Sequence, residues 1–218
     1  GRPGVGGGAG GRAGESAIHH IKGDEKMLIN EAGVVRAIKR AYKGGGYTVN
    51  SQGGVMAIYT QSWYIQARRE VMPRKVLATI VEHAGMIPGD KEPTNIMKDL
   101  NPQLVIPETA AEEMNNWRIG ERGDDVDLVP VIMQGFQIFQ AKSLACWGIP
   151  LSYLGMVERD AAEHDSAIVV DNCRLLWDDG TEAIAVEAVR KAKSGWAKAW
   201  ERAVWEALEG VDLDKEEE

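Results

Sequence analysis

A chain of 218 residues, 44% apolar and 27% charged, can bury a real core and is neither a disordered nor a fibrous composition. Its net charge of −8 is uneven: residues 1–100 hold 14 Lys/Arg against 9 Asp/Glu, and residues 101–218 hold 11 against 24. Two cysteines, Cys146 and Cys173, exclude a disulfide framework or a four-cysteine zinc site, and no apolar run reaches the roughly 18 residues of a membrane span.

Residues 1–25 are Gly-rich with little to bury, and read as a flexible tail. Within it, Gly10-Gly11-Arg12-Ala13-Gly14 lacks the Lys-Ser/Thr pair and the preceding strand of a phosphate-binding loop. His19 and His20 have no neighbours to fix a metal geometry, so no metal and no cofactor are predicted. Asn30 suits a helix N-cap, and Val34, Val35, Ile38, Ala41 and Tyr42 share one helical face before Gly44-Gly45-Gly46 stops it. Residues 47–49 and 55–59 flank a polar turn and read as a hairpin, followed by a half-buried strand at 63–68. Pro73 opens a second helix with Val76, Leu77, Ile80, Val81 and Ala84 inward, ended by Gly85. Residues 26–90 therefore form an α+β lobe.

Residues 91–130 hold Pro93, Pro102, Pro107 and Pro130 and one short acidic helix near 108–118. They read as a surface connection and the domain boundary. Residues 131–211 form a second α+β lobe. Residues 129–139 give a buried strand or two kinked at Gly135, and 140–155 show no assignable pattern. A strand at 167–177 is followed by the hairpin signal Asp179-Gly180 and a strand at 181–186. From 188 the period is helical, with Trp196, Trp200, Val204, Ala207 and Leu208 on one face, and 212–218 are an acidic tail. The predicted fold is α+β, antiparallel β-hairpins packed against helices in two small lobes.

Four features bear on chemistry. Asp160, Glu163 and His164 lie in the acidic run 158–165, where Asp160 and His164 would stand at i,i+4 on a helix. A hydrolytic or metal site needs a convergent partner, for which Asp171, Asp178 and Asp179 are available, although all three also fit as turn residues; no catalytic residue is assigned. His83 closes the second helix, where a cationic imidazole is favoured by the dipole. Arg36, Lys39, Arg40 and Lys43 wrap the first helix, and Arg68, Arg69, Arg74 and Lys75 bracket the third strand and second helix. With Tyr47, Tyr59, Trp63 and Tyr64 nearby they suit nucleic acid, yet a net of +5 over residues 1–100 is mild, and a solvated face, or one docked on the acidic half, is the favoured reading. Trp205 lies opposite Trp196 on the helical wheel, so one of the two does not face the core, and an exposed Trp205 would anchor a partner or a second copy.

Gly45-Gly46-Tyr47-Thr48-Val49, Trp63 and the run from Met72 to Gly85 give residues 38–89 a resemblance to uncharacterised accessory proteins of Firmicutes phages and mobile elements. The segment 175–180, Leu-Leu-Trp-Asp-Asp-Gly, is similar too. The resemblance carries no catalytic residue across; it implies a small binding protein that modulates host machinery, including defence systems. The leading expectation is thus a cytoplasmic, non-enzymatic protein that binds a host protein or complex and inhibits it. The alternatives are a metal-dependent enzyme acting on nucleic acid or nucleotides, and a direct nucleic-acid binder.

Overall fold

The computed structural model describes residues 27–190 and 199–213. Helix α1 (Glu31–Lys43) starts where the Asn30 side chain accepts the Gly33 N–H at 2.8 Å, and it buries Val34, Ala37 and Ile38. Strands β1 (Tyr47–Gln52) and β2 (Val55–Tyr59) turn at Gly53-Gly54, both at positive φ, as a two-residue antiparallel hairpin requires. Strand β3 (Trp63–Arg68) completes the meander, and α2 (Arg74–Ala84) follows, capped by a left-handed Gly85. Ion pairs Lys75–Glu31 at 3.3 Å and Lys39–Glu82 at 3.8 Å show α1 and α2 running side by side in the same direction.

The stretch 91–130 is more than a connection. It supplies β4 (Thr94–Ile96), β5 (Gln103–Leu104), α3 (Pro107–Arg118) and most of β6 (Arg122–Met133). Then follow β7 (Phe136–Ala141), β8 (Cys146–Pro150), α4 (Leu151–Leu154), α5 (Arg159–His164), β9 (Ala167–Val170), β10 (Arg174–Asp178), β11 (Glu182–Glu187) and α6 (Ala199–Leu208). The strand expected at 167–177 is thus two strands. Asp171 and Asn172 take positive φ of 50° and 56°, values that short polar side chains tolerate, and turn the chain between β9 and β10.

All these strands join one antiparallel sheet of 11 in the order β5-β4-β1-β2-β3-β11-β10-β9-β6-β7-β8. The fold is mixed α+β, and a division into two lobes is not what the sheet shows. β3 and β11 pair from Trp63↔Val186 to Ala67↔Glu182, which joins the two halves of the chain and leaves neither strand edge open. Beyond β11 the chain returns to β8, where Gly148 and Val189 exchange two 2.9 Å backbone bonds.

One face of the sheet carries the main core. Ile58, Ile65 and Ile184 meet α1 and α2, and Phe139 packs edge-on to Trp177 at 5.6 Å. Gly33 is required there, since a Cβ would stand 1.5 Å from the Gly155 carbonyl oxygen at the end of α4. The segment before α1 is strapped down by Glu182, whose buried carboxylate accepts the N–H groups of Leu28 at 2.6 Å and Ile29 at 3.1 Å. The opposite face is covered by α3 over Tyr59, Tyr64 and Leu176, and by α6 over Val129, Ile138 and Cys146.

Trp205 is the clearest correction to the sequence reading. It is only 6% exposed and is itself the residue that α6 inserts over Ile138 and Cys146, so it offers no surface anchor. A helical wheel orders Trp205 and Trp196 relative to each other but not to the sheet, and Trp196 lies outside the described residues.

Candidate binding cleft at the strand ends

The register sets one cross-strand row on the α3 face: Asn95, Thr48, Tyr59, Tyr64, Ala185 and Leu176 stand side by side on six strands. At the end of these strands the connections Gly44–Gly46 and Thr60–Ser62 and the β9–β10 turn come together. They leave a cleft of about 750 Å³ between the C-terminal end of α1 and the exposed side of α3. Thr60 fixes one wall by accepting the N–H groups of Ser62 at 3.0 Å and Trp63 at 3.3 Å. Gly46 fixes another: its φ is +84° and a Cβ would lie 3.0 Å from the Ile96 carbonyl oxygen.

Trp117 links α3 to this site. Its buried indole stacks on Tyr64 at 6.3 Å and 19°, and the Arg174 guanidinium lies over the ring at 5.2 Å. The Arg174 Nη2 reaches Asp171 at 3.2 Å, whereas its buried Nη1 makes no hydrogen bond within the chain. Tyr59 is only 3% exposed, and side-chain hydrogen bonds with Glu113 and Thr48 bear on its hydroxyl. That hydroxyl lies beside Glu113 and Thr48, and burial first, then the Glu113 charge, pushes its pKa well above the usual phenol value.

The cleft combines Arg40 and Arg174 with Glu113 and Glu187, and amides with aromatic rings. Cys173 lines it too, but no imidazole does. Among the described residues no group of three His, Cys, Asp or Glu is placed to hold a metal ion. The cleft therefore offers charge, hydrogen-bonding groups and aromatic surface.

The structure scatters the sequence-predicted candidates. Asp160, Glu163 and His164 lie exposed on the six-residue α5, where Arg159 holds Glu163 at 2.6 Å and His164 stands 3.6 Å from Asp160. The carboxylates that were to converge on them are used elsewhere. Asp171 caps the Glu121 N–H, Asp178 pairs with Arg118 at 2.7 Å, and Asp179 caps the turn into β11. The two basic clusters do not merge either. Arg68 and Arg69 stand at the N-terminal end of the α1–α2 pair, and Arg40 near its C-terminal end. A 13-residue helix separates such ends by roughly 20 Å. Lys39 is paired with Glu82, Arg68 lies 3.9 Å from Glu70, Arg36 lies beside Gly155, and only Arg40 reaches the cleft.

His83 also differs from expectation. It stacks on Tyr42 at 3.8 Å and 7°, and its Nδ1 is hydrogen-bonded with the Tyr47 hydroxyl at 3.0 Å. Burial, the largest cause, lowers its pKa, which favours the neutral imidazole over a cationic cap. Sequence reasoning missed Arg174 and Trp117; the Asp171-Asn172 turn signal, read as such, would have placed Arg174 at the start of the following strand.

No protein-family model, curated protein or solved structure matches this chain, and the cleft is read from its own geometry.

Proposed function

We propose that this protein acts by binding a partner protein without turnover, and that the cleft at the strand ends is its recognition surface. The observation that carries the reading is the cleft itself, whose walls combine Arg40 and Arg174 with Glu113, Glu187 and the aromatic rings of Tyr59 and Trp117. The resemblance of residues 38–89 to accessory proteins of phages and mobile elements supplies the setting. The partner is then a host protein or complex, in a defence or nucleic-acid-handling system, inhibited by occupation of its surface in the cytoplasm.

The experiment is affinity capture from host lysate with the wild-type chain and with Arg174→Ala. Thermal unfolding of both forms serves as the folding control. The expected result is a protein retained by the wild type and lost, by at least about tenfold, from a folded Arg174→Ala. A partner retained equally by both forms would remove the cleft from the mechanism.

A further inference from the structure

Helix α3 forms one wall of the cleft, to which it contributes Glu113, Asn116 and Trp117, yet it is held on the sheet far less firmly than α1. Of its 12 residues it buries only Ala110 and Trp117, and no side chain caps its start at Ile106. The sheet face beneath it is not a dry seat. On that side the register puts the polar Thr48, Asn50, Gln66 and Asp178 among the small Ala183 and Ala185. Water can meet such side chains at little cost, whereas the Ile58, Ile65 and Ile184 seat of α1 would lose its apolar burial.

The fastenings of α3 are correspondingly polar: Arg118 to Gln66 and Asp178, and Asn50 to the Met114 sulfur, beside the stack of Trp117 on Tyr64. Firm anchors bracket the helix. Before it, the Val105 N–H is bonded to the Pro93 carbonyl at 2.7 Å. After it, the Glu121 N–H donates to the Asp171 carboxylate and the Asp171 N–H to the Glu121 carbonyl, each at 2.9 Å. Between these anchors Ile106 and Ile119 flank α3, and both are exposed, so neither end is pinned to the core.

We propose that α3 is a lid: residues 106–120 leave the sheet as one unit while the rest of the fold stays intact, and the cleft then continues across the sheet face over Tyr59 and Tyr64. A helix of 12 residues is marginal in water without tertiary support, so α3 melts as it lifts and its amides exchange with solvent. The lid follows from packing alone and goes beyond the binding function, since it holds whatever the cleft accepts.

Native-state hydrogen exchange of the full chain, read by NMR, tests it. Amides of residues 111–118 should exchange at least about 100-fold faster than those of residues 35–42 in α1, and with one shared opening equilibrium. Small additions of urea should speed α1 exchange steeply and α3 exchange little, because lifting the lid exposes far less surface than global unfolding. Two variants separate the lid from its alternatives. Ile38→Val weakens packing that is the same with the lid open or closed, so α1 exchange should quicken about fivefold and α3 exchange should not change. Ile106→Asp supplies the missing cap at an exposed position and should slow exchange along the whole of α3 by about fivefold. Exchange of α3 as slow as that of α1, or quickened equally by Ile38→Val, means that α3 opens only with the whole fold and overturns the lid. A response to Ile106→Asp confined to the first turn means end fraying and overturns it too.

Discussion

The two faces of the central sheet are covered by helices of different kinds. α1 has a side-chain cap at Asn30, an apolar stripe of Val34, Ala37 and Ile38, and a seat of Ile58, Ile65 and Ile184. α3 starts at Ile106 without a side-chain cap, and of its 12 residues only Ala110 and Trp117 are buried. Beneath it lie polar groups. Arg118 bonds Gln66 at 3.2 Å and Asp178 at 2.7 Å, and Asn50 donates to the Met114 sulfur at 2.9 Å. The α1 face is built to be excluded from water, and the α3 face to meet polar groups. The cleft lies where the second kind of packing reaches the strand ends.

The largest effects should come from breaking the α1 face. Ile38→Ala removes a fully buried side chain and should cost about 2–5 kcal/mol in urea unfolding. Gly33→Ala should be at least as severe, because the backbone of α4 is not a flexible neighbour. If either variant unfolds at the wild-type urea concentration, α1 is not the structural cover described.

Next is the strap that leads into α1. Burial, the largest cause, raises the Glu182 pKa above its usual 4.5, while the Leu28 and Ile29 N–H groups lower it. A raised carboxylate pKa means the folded form holds the proton more tightly. Its stabilising contribution is complete below about 4.5 and is lost as pH rises through the folded value. Both N–H groups bond the same oxygen, so Glu182→Gln keeps both acceptances and removes the buried charge. It should be no less stable than wild type at pH 7, with any gain fading toward pH 4. Glu182→Leu leaves two buried donors unpaired and should cost about 2–4 kcal/mol, measured by denaturant unfolding.

Helices α1, α2 and α3, the Gly53-Gly54 hairpin and the α+β class were legible because each is written in a few adjacent residues, whereas the short α4 and α5 were not. Asn30 caps, Gly85 stops, and period 3.6 or 2 marks the buried side. The β3–β11 pairing was not legible, since Trp63 and Val186 meet across a separation that no local period encodes. The long connection was misread for the same reason: β4 is only three residues, Thr94–Ile96, and is a strand because β1 lies beside it. The cleft was half visible. Tyr59, Trp63 and Arg40 stood out by type, but Arg174 gains its role from Trp117, which reaches it from another element.

A smaller effect separates the two faces by pH. The lowered pKa of His83 means stability is present above the ordinary value of 6.5 and is lost as pH falls through the folded value. Glu82 opposes this shift and Lys39 reinforces it, both from the solvent side of the helix pair. His83→Phe keeps the stack on Tyr42 and removes the hydrogen-bond partner of the buried Tyr47 hydroxyl, a cost of about 1–3 kcal/mol at neutral pH. The gap between wild type and variant should narrow from pH 7.5 to 5.5, because only the wild type pays for protonation. A gap constant across that range would mean that His83 does not titrate against the fold.

The smallest expected change in stability carries the sharpest test of the comparison. Glu113 is exposed on α3, makes no part of either core, and faces the cleft beside Tyr59. Glu113→Gln should therefore leave unfolding within about 0.5 kcal/mol of wild type, as surface substitutions do. It also removes the charge that, after burial, raises the Tyr59 pKa, so the Tyr59 phenol should ionise at lower pH in the variant. NMR of ring-labelled tyrosine, with the Tyr59 signal assigned by its loss in Tyr59→Phe, follows the onset of that ionisation in the two proteins. A Tyr59 titration unmoved by Glu113→Gln would detach α3 from the strand-end row, and the two helical faces would differ in packing alone.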